Sequence, residues 1–172
     1  SINYSVKQID LNEKNIPDNL KCLVIARPTD QLSDYELFQI DQALMNGTNL
    51  AIFMDTVKEV QQQQQSFGFS PGPSFVPFDT GLEKLLDHYG ITVKKSVVMD
   101  KVSYKQQMPE QYGGGEKSLY FVPTIQNNSI NKDLDFMNNI KGLITLKASP
   151  ITLDEKKLKE NGIQAHTLFT SS

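Results

Sequence analysis

The sequence lacks several features that point to particular classes of protein. Its 172 residues include one cysteine and no tryptophan, which excludes an internal disulfide framework. No run of 18 apolar residues occurs, so the sequence predicts no transmembrane helix. Lysine and arginine total 17 against 20 acidic residues, for a net charge of −3. That balance argues against a nucleic-acid groove, which needs clustered basic side chains.

The glycine signature of a nucleotide-binding loop is also missing. A dinucleotide or phosphate loop needs glycines after a strand, so that backbone amides can approach the phosphate. No G-x-G-x-x-G follows any predicted strand, and the three glycines at 113–115 precede no predicted helix. We therefore expect no nucleotide cofactor, and no pattern in the sequence specifies another cofactor.

The clearest positive pattern lies in residues 21–55, where a strand, a helix and a second strand are predicted. Residues 22–26 form a continuous apolar run, as a strand buried on both faces requires. Ser33 and Glu36 have the spacing of a capping box ahead of an apolar helical stripe. Gly47 stands where a helix needs a left-handed C-terminal residue, and residues 50–54 are a second apolar run. This pattern is typical of a βαβ unit.

Further elements are expected on both sides of this unit. A second capping box, Thr80 with Glu83, predicts a helix that Gly90 ends. The glycines at 113–115 separate two strand-like stretches and predict an antiparallel hairpin. The other expected elements are an alternating strand over residues 2–6, a third strand over 91–99, a short helix over 131–140, a fourth parallel strand over 143–146, a helical turn over 153–161 and a final strand over 163–169.

Strands that alternate with capped helices predict an α/β fold. We expect an open, mostly parallel sheet with helices on both faces, flavodoxin-like or class I amidotransferase-like, with a hairpin insertion. Residues 1–172 are expected to form a single domain with insertions at 56–78 and 101–131, excised from a longer membrane-anchored protein. Aromatic side chains in the insertions are expected to fold back on the core, or otherwise to offer a partner surface.

Polar residues follow the predicted parallel strands, where ligands bind in open sheets of this kind. The candidate ligand-binding residues are Arg27, Thr29, Asp30, Asp55 and Asp100. The three aspartates could hold a hard divalent cation through oxygen ligands. An aspartate at a strand end more often caps a turn or the next helix, so no metal site is predicted.

Candidate nucleophiles are poorly placed for catalysis. Cys22 lies at the wrong end of its strand for a nucleophile on a strand-to-helix turn. Ser70 matches the letters G-x-S-x-G at residues 68–72, but it stands in a proline-rich loop with no strand before it. The sequence pattern alone does not indicate an acidic partner for His88 or His166. We therefore predict no catalytic residue and a protein that is not an enzyme, with a small-molecule or sugar sensor, or a degenerate amidotransferase or hydrolase, as alternatives.

The order of several short motifs resembles a known family. These motifs are Ile16-Pro17, residues 22–28, Leu32-Ser33 with 35–37 and 40–44, Gly47, residues 50–55, Leu82, Leu85, Leu86, residues 89–91, residues 97–100, residues 148–151 and residues 168–172. In this order they resemble the auxiliary domain of gliding-motility-type ABC transporters, a group related to an intraflagellar transport domain. The likeness spans nearly the whole chain.

The resemblance implies a non-catalytic domain that works through protein contacts in an ABC-type export or gliding-motility system. Its partners would be the ABC permease and ATPase subunits of that system, with a homo-oligomer left open. The domain would lie on the extracytoplasmic, periplasmic face of the bacterial inner membrane, and other segments of the full protein would hold it there. Relatives share the amidotransferase fold without its catalytic cysteine, which agrees with the placement of Cys22.

Overall fold

The computed structural model describes residues 4–60 and 74–172. These residues form two compact units that are interleaved along the chain. The first unit takes its described residues from Ser1–Asp55 and Asp79–His88, and the second from Thr56–Phe78 and Tyr89–Ser172.

The first unit contains the predicted βαβ arrangement. Strand β1 (Cys22–Ala26) and strand β2 (Asn49–Phe53) pair in parallel, with Val24 opposite Ala51. Helix α1 (Asp34–Met45) connects them, as a crossover between parallel strands requires. The expectation of this unit from residues 21–55 is confirmed.

The predicted capping box at Ser33 and Glu36 is complete, and the one at Thr80 and Glu83 is formed in part. At the start of α1, the Glu36 backbone N–H donates to Ser33 Oγ at 3.3 Å, and the Ser33 N–H donates to Glu36 Oε2 at 2.7 Å. Ahead of helix α2 (Leu82–His88), the Thr80 N–H donates to Glu83 Oε2 at 3.1 Å. The Leu82 N–H donates to Thr80 Oγ1 at 3.3 Å. These bonds satisfy backbone donors that a helix start would otherwise leave unpaired.

Helices α1 and α2 pack together and provide the buried apolar side chains of the first unit. Ile40 on α1 and Leu82 on α2 are 1% and 0% exposed. The Leu32 N–H donates to the Thr80 carbonyl at 2.8 Å, so the two helix starts are also tied through their backbones. Burial of these two side chains stabilises the unit by about 2–3 kcal/mol each.

The second unit is built from small antiparallel sheets. Its strands are β3 (Val57–Val60) paired with β4 (Ser74–Pro77), β5 (Ile91–Val93) paired with β9 (Ile151–Leu153), and the three-stranded order β6 (Ser103–Gln107), β7 (Glu116–Ile125), β8 (Leu143–Ile144). Helix α3 (Glu155–Glu160) follows β9 and is capped by Asp154, whose carboxylate accepts from the backbone of Lys156 and Lys157. The hairpin predicted around residues 113–115 is confirmed as β6 and β7.

The buried core of the second unit lies beside β7. Ile125, Ile130 and Met137 form its centre, and Leu134, Ile140 and Leu143 pack against them. Strand β7 bulges between Leu119 and Pro123, which pair with the adjacent residues Tyr104 and Ser103 of β6. The bulged backbone still finds partners, because Tyr120 O accepts from the Asp100 N–H at 2.9 Å and Phe121 O from the Lys147 N–H at 2.9 Å.

The predicted fold class is wrong. Over residues 4–60 and 74–172, β1 and β2 are the only parallel pair, and the other paired strands are antiparallel. No extended parallel sheet with helices on both faces is formed there, so the flavodoxin-like and amidotransferase-like expectation fails. The cause is long-range pairing, since the apolar runs at 91–99 and 143–146 pair with antiparallel neighbours instead of joining β1 and β2.

Several individual elements also differ from expectation. Tyr4 and Val6 are 78% and 90% exposed and lie in no strand. The helix expected over 131–140 is reduced to a single 3₁₀ turn at Asp135–Met137. The final strand expected over 163–169 is reduced to one bridge between Ile130 and Phe169. The helical turn expected over 153–161 is confirmed as α3.

Candidate functional site

Two of the predicted site residues meet at the carboxyl ends of β1 and β2. Arg27 Nε lies 3.2 Å from Asp55 Oδ2, with side chains 82% and 58% exposed. The Arg27 N–H also donates to the Phe53 carbonyl at 2.7 Å, and Arg27 adopts a left-handed φ of 49°. Parallel pairing therefore brings these two side chains together, as the sequence indicates. An ion pair this exposed contributes at most about 1 kcal/mol.

Thr29 and Asp30 lie in the loop that follows β1. The Thr29 hydroxyl donates to Asp30 Oδ2 at 3.2 Å, and both residues are exposed. A side-chain bond between neighbours of this kind is typical of a polar turn before a helix. Their assignment as ligand-binding residues stays a prediction.

Asp100 lies in the second unit and is hydrogen-bonded to Ser172. Asp100 is 5% exposed. Its carboxylate accepts from the Val102 N–H at 2.9 Å, from the Ser172 N–H at 2.8 Å and from the Ser172 hydroxyl. The hydrogen bond from the Ser172 side chain, followed by those from the backbone of Ser172 and Val102, lowers the pKa of this carboxyl below its ordinary value. The arrangement links the turn at Asp100 and Val102 to Ser172.

We also looked for metal-binding groups and for cavities elsewhere in the described residues. Within the described ranges, no group of three or more histidine, cysteine or acidic side chains could hold a metal ion. An open cavity of about 330 Å³ lies in the loop before β1, lined by Lys7, Gln8, Ile9, Asp10, Glu13, Lys14, Asn15 and Pro17. None of the predicted site residues lines this cavity. Ser70 and its surrounding loop lie outside the described residues.

The feature that sequence reasoning missed is a bare apolar face on the β1–β2 pair. Side chains alternate along a strand, so two sets of residues point to opposite faces. One set, Leu23, Ile25, Leu50 and Ile52, is half-buried. The other set, which we call the bare face, has Ala51 half-buried and its other members exposed: Cys22, Val24, Ala26, Asn49 and Phe53.

Apolar side chains on the bare face are more exposed than is usual for paired parallel strands. Val24 is 59% exposed, Phe53 is 66% exposed, and Cys22 is an exposed free thiol. Parallel strands are normally covered on both faces. The sequence signal for this surface is the same apolar run that predicted full burial. In the described part of the chain, the side chains of one face are half-buried, whereas most of those on the other face are exposed.

The outer edge of β1 is open as well. The Asn49 N–H donates to the Lys21 carbonyl at 3.1 Å, and the Arg27 N–H donates to the Phe53 carbonyl. Because the backbone groups of alternate residues point to the same side of a strand, odd-numbered residues of β1 face β2. The even-numbered residues Cys22, Val24 and Ala26 therefore direct their N–H and C=O groups away from β2, where the structure describes no further paired strand.

Comparison with known protein families gives a match over the full chain. The model of the family described as "ABC-type uncharacterized transport system" matches residues 1–172. The chain belongs to this family. It is accordingly an auxiliary component of an ABC-type transport system, and the resemblance derived from the sequence is confirmed at that level.

Searches of curated proteins and of solved structures found no match. The family's association with ABC transport connects the chain to a membrane-related system. Within residues 4–60 and 74–172, no helix has the length and apolar character needed to cross a bilayer.

Proposed function

We propose that this chain is a non-catalytic accessory domain that binds other proteins of its ABC-type transport system. Its partners would be the permease and ATPase subunits, and its location would be the extracytoplasmic side of the bacterial inner membrane. An export or gliding-motility system is the kind that the sequence resemblance favours.

The observation that supports a binding role is the bare face of β1–β2. Phe53 and Val24 offer apolar surface that a partner can cover, and burial of apolar surface drives most protein association. The polar candidates offer less, because Arg27 and Asp55 are paired with each other and Asp100 is engaged by Ser172. A sensor that binds sugars at the strand ends is therefore the weaker candidate.

Co-purification from membranes tests the proposed partners. The full-length protein carrying this domain would be tagged and extracted in mild detergent together with its own permease and ATPase. We expect all three to purify together, and to do so in the absence of added nucleotide or sugar. Recovery of the tagged protein alone, under conditions that keep permease and ATPase together, would contradict the proposal.

The predicted side of the membrane can be tested with an introduced thiol. Val6 is 90% exposed and is not one of the residues of the bare face, so Val6→Cys in a Cys22→Ser background gives an accessible probe. We expect a membrane-impermeant thiol reagent to label this variant in intact spheroplasts. The Cys22→Ser protein without the Val6 change is the control. Labelling that requires permeabilised membranes would place the domain on the cytoplasmic side.

A further inference from the structure

The bare face of β1–β2 is suited to one particular kind of partner. We propose that it is covered by a single amphipathic helix of a partner protein, running antiparallel to β1. This inference rests on the proposed function, because it names the element of the partner that the accessory domain binds. Its basis is the size, the chemistry and the charge of the face.

The size of the face matches a short helix. Two paired strands are about 10 Å wide with their side chains, and five residues extend about 17 Å. A three-turn helix is about 16 Å long and about 10 Å in diameter. The footprint is therefore about 170 Å², whereas a stable dimer of folded domains buries about 800 Å² on each partner. The face alone is too small to hold a second copy of this chain, and a helix that covers it must belong to a partner that makes further contacts in the complex.

The chemistry of the face favours a helix over an added strand. Val24, Ala26 and Ala51 are small, and Phe53 stands at the end of β2 with 66% of its surface exposed. A strand added at the outer edge of β1 would pair backbone groups but leave Phe53 uncovered, because it would lie beside the sheet. A helix laid across the face covers both strands, which is how parallel sheets are normally buried.

The charge at the amino end of β1 favours one direction of the helix, since the cation at the other end, Arg27, is already paired with Asp55. Lys21 is exposed immediately before β1. The C-terminus of a helix carries a partial negative charge, which a neighbouring lysine stabilises. A covering helix that ends near Lys21 runs antiparallel to β1, as crossover helices do in βαβ units. Acidic residues in its last turn would add to this complementarity.

Site-specific photo-cross-linking in the assembled complex tests this geometry. A photoreactive amino acid would be placed singly at positions 22, 24 and 26 of the full-length protein, with position 6 as the control. Each two-residue step along β1 covers about 6.6 Å. That distance corresponds to about four residues of a helix, which rises about 1.5 Å per residue. A strand would advance by about two residues for the same step.

We expect the three probes to react with one partner segment, at positions that shift by about four residues per step toward its N-terminus. A shift of about two residues overturns the helix in favour of strand addition. Cross-links to a second copy of this chain, or yields no higher than at position 6, also overturn it. If permease and ATPase do not co-purify with the protein, both this inference and the proposed function fail, whereas an altered cross-link pattern in an intact complex removes the inference alone.

A substitution gives an independent readout. Phe53→Glu places a charge on the bare face and should lower partner recovery about tenfold or more, as loss of an aromatic anchor does. Val6→Glu makes the same kind of change at a residue that is 90% exposed and should keep recovery within about twofold. Unchanged recovery with Phe53→Glu would count against the inference. If that variant does not fold, the cross-linking pattern decides.

Discussion

Two glycines of the first unit have nearly the same φ angle in different surroundings. Gly47 has φ +90° and Gly81 has φ +88°. A Cβ added at Gly47 would meet nothing within 4 Å. A Cβ added at Gly81 would lie 3.0 Å from the Leu32 carbonyl oxygen and 3.5 Å from Leu37 Cδ1. Alanine at the two positions therefore separates backbone strain from steric overlap.

The expected losses follow from these distances. Gly47→Ala should lower the free energy of unfolding by about 1–2 kcal/mol, the cost of a left-handed conformation for an L-residue. Gly81→Ala should cost about 1–3 kcal/mol more, the usual range for overpacking. The contacted oxygen belongs to backbone, and the Leu32 N–H is held by the Thr80 carbonyl at 2.8 Å. Neither group can move aside without disturbing the link between the two helix starts.

Urea unfolding followed by far-ultraviolet circular dichroism measures both losses. With a slope of about 2 kcal/mol per molar urea, the midpoint of Gly81→Ala should lie at least about 0.5 M below that of Gly47→Ala. Spectra of both folded variants should match that of the parent. Equal midpoints, or a larger loss at Gly47, would refute the assigned contact between residue 81 and the Leu32 backbone.

Further predictions concern a cap, a carboxylate and an ion pair. Ser33→Ala should lower the free energy of unfolding by about 1 kcal/mol because it removes the helix cap, and Ser33→Thr, which keeps the hydroxyl, should restore most of it; similar losses for the two in urea unfolding would argue against the capping box. Asp100→Asn should destabilise the chain at pH 7, and because the folded pKa of Asp100 is lowered, its stabilising effect should be lost as pH falls below about 4 and through the folded pKa; a constant difference between parent and variant from pH 7 to pH 3 would contradict this. Lys147→Ala removes the ion pair with Glu59 and a cation–π contact with Phe75, 5.1 Å from the ring centre, and should cost about 0.5–1 kcal/mol in urea unfolding. Lys105→Ala, which removes only an exposed ion pair, is its control and should cost less.

Local features were predictable because the groups that form them are close in sequence. Ser33 and Glu36 are three residues apart, as are Thr80 and Glu83, so their hydrogen bonds depend on little beyond the helix start itself. The β6–β7 hairpin follows in the same way from a glycine turn between two strands. The β1–α1–β2 order adds only one crossover, which is also a short-range arrangement.

The pairing of distant strands was not predictable from the same patterns. An apolar run suits a parallel or an antiparallel neighbour equally well, and nothing within residues 91–99 specifies Ile151–Leu153 as the partner. The same limit applies to predicting which candidate site residues lie near one another. Arg27 and Asp55 meet because their strands do pair in parallel, whereas Asp100 follows a segment that belongs to the second unit.

The bare face could not be predicted, because the apolar runs of β1 and β2 indicate burial on both faces of the strands. Composition indicates that a side chain is suited to burial, but it does not say whether the same chain supplies the cover. Val24 and Phe53 are suited to burial by composition, yet they are 59% and 66% exposed in the structure. Apolar runs in accessory domains are therefore compatible with an interface as well as with a core.

The interleaving of the two units has a consequence for synthesis on the ribosome. The first unit is complete once residue 88 has emerged. Strands β3 and β4 pair with each other, but the hydrogen bond between Thr56 of the second unit and Ser149, 93 residues later, must wait. At about 5–20 residues per second, that delay is about 5–20 s. Chains that stop near residue 140 should therefore carry a folded first unit beside a segment open to proteases, and no single cut releases either unit whole.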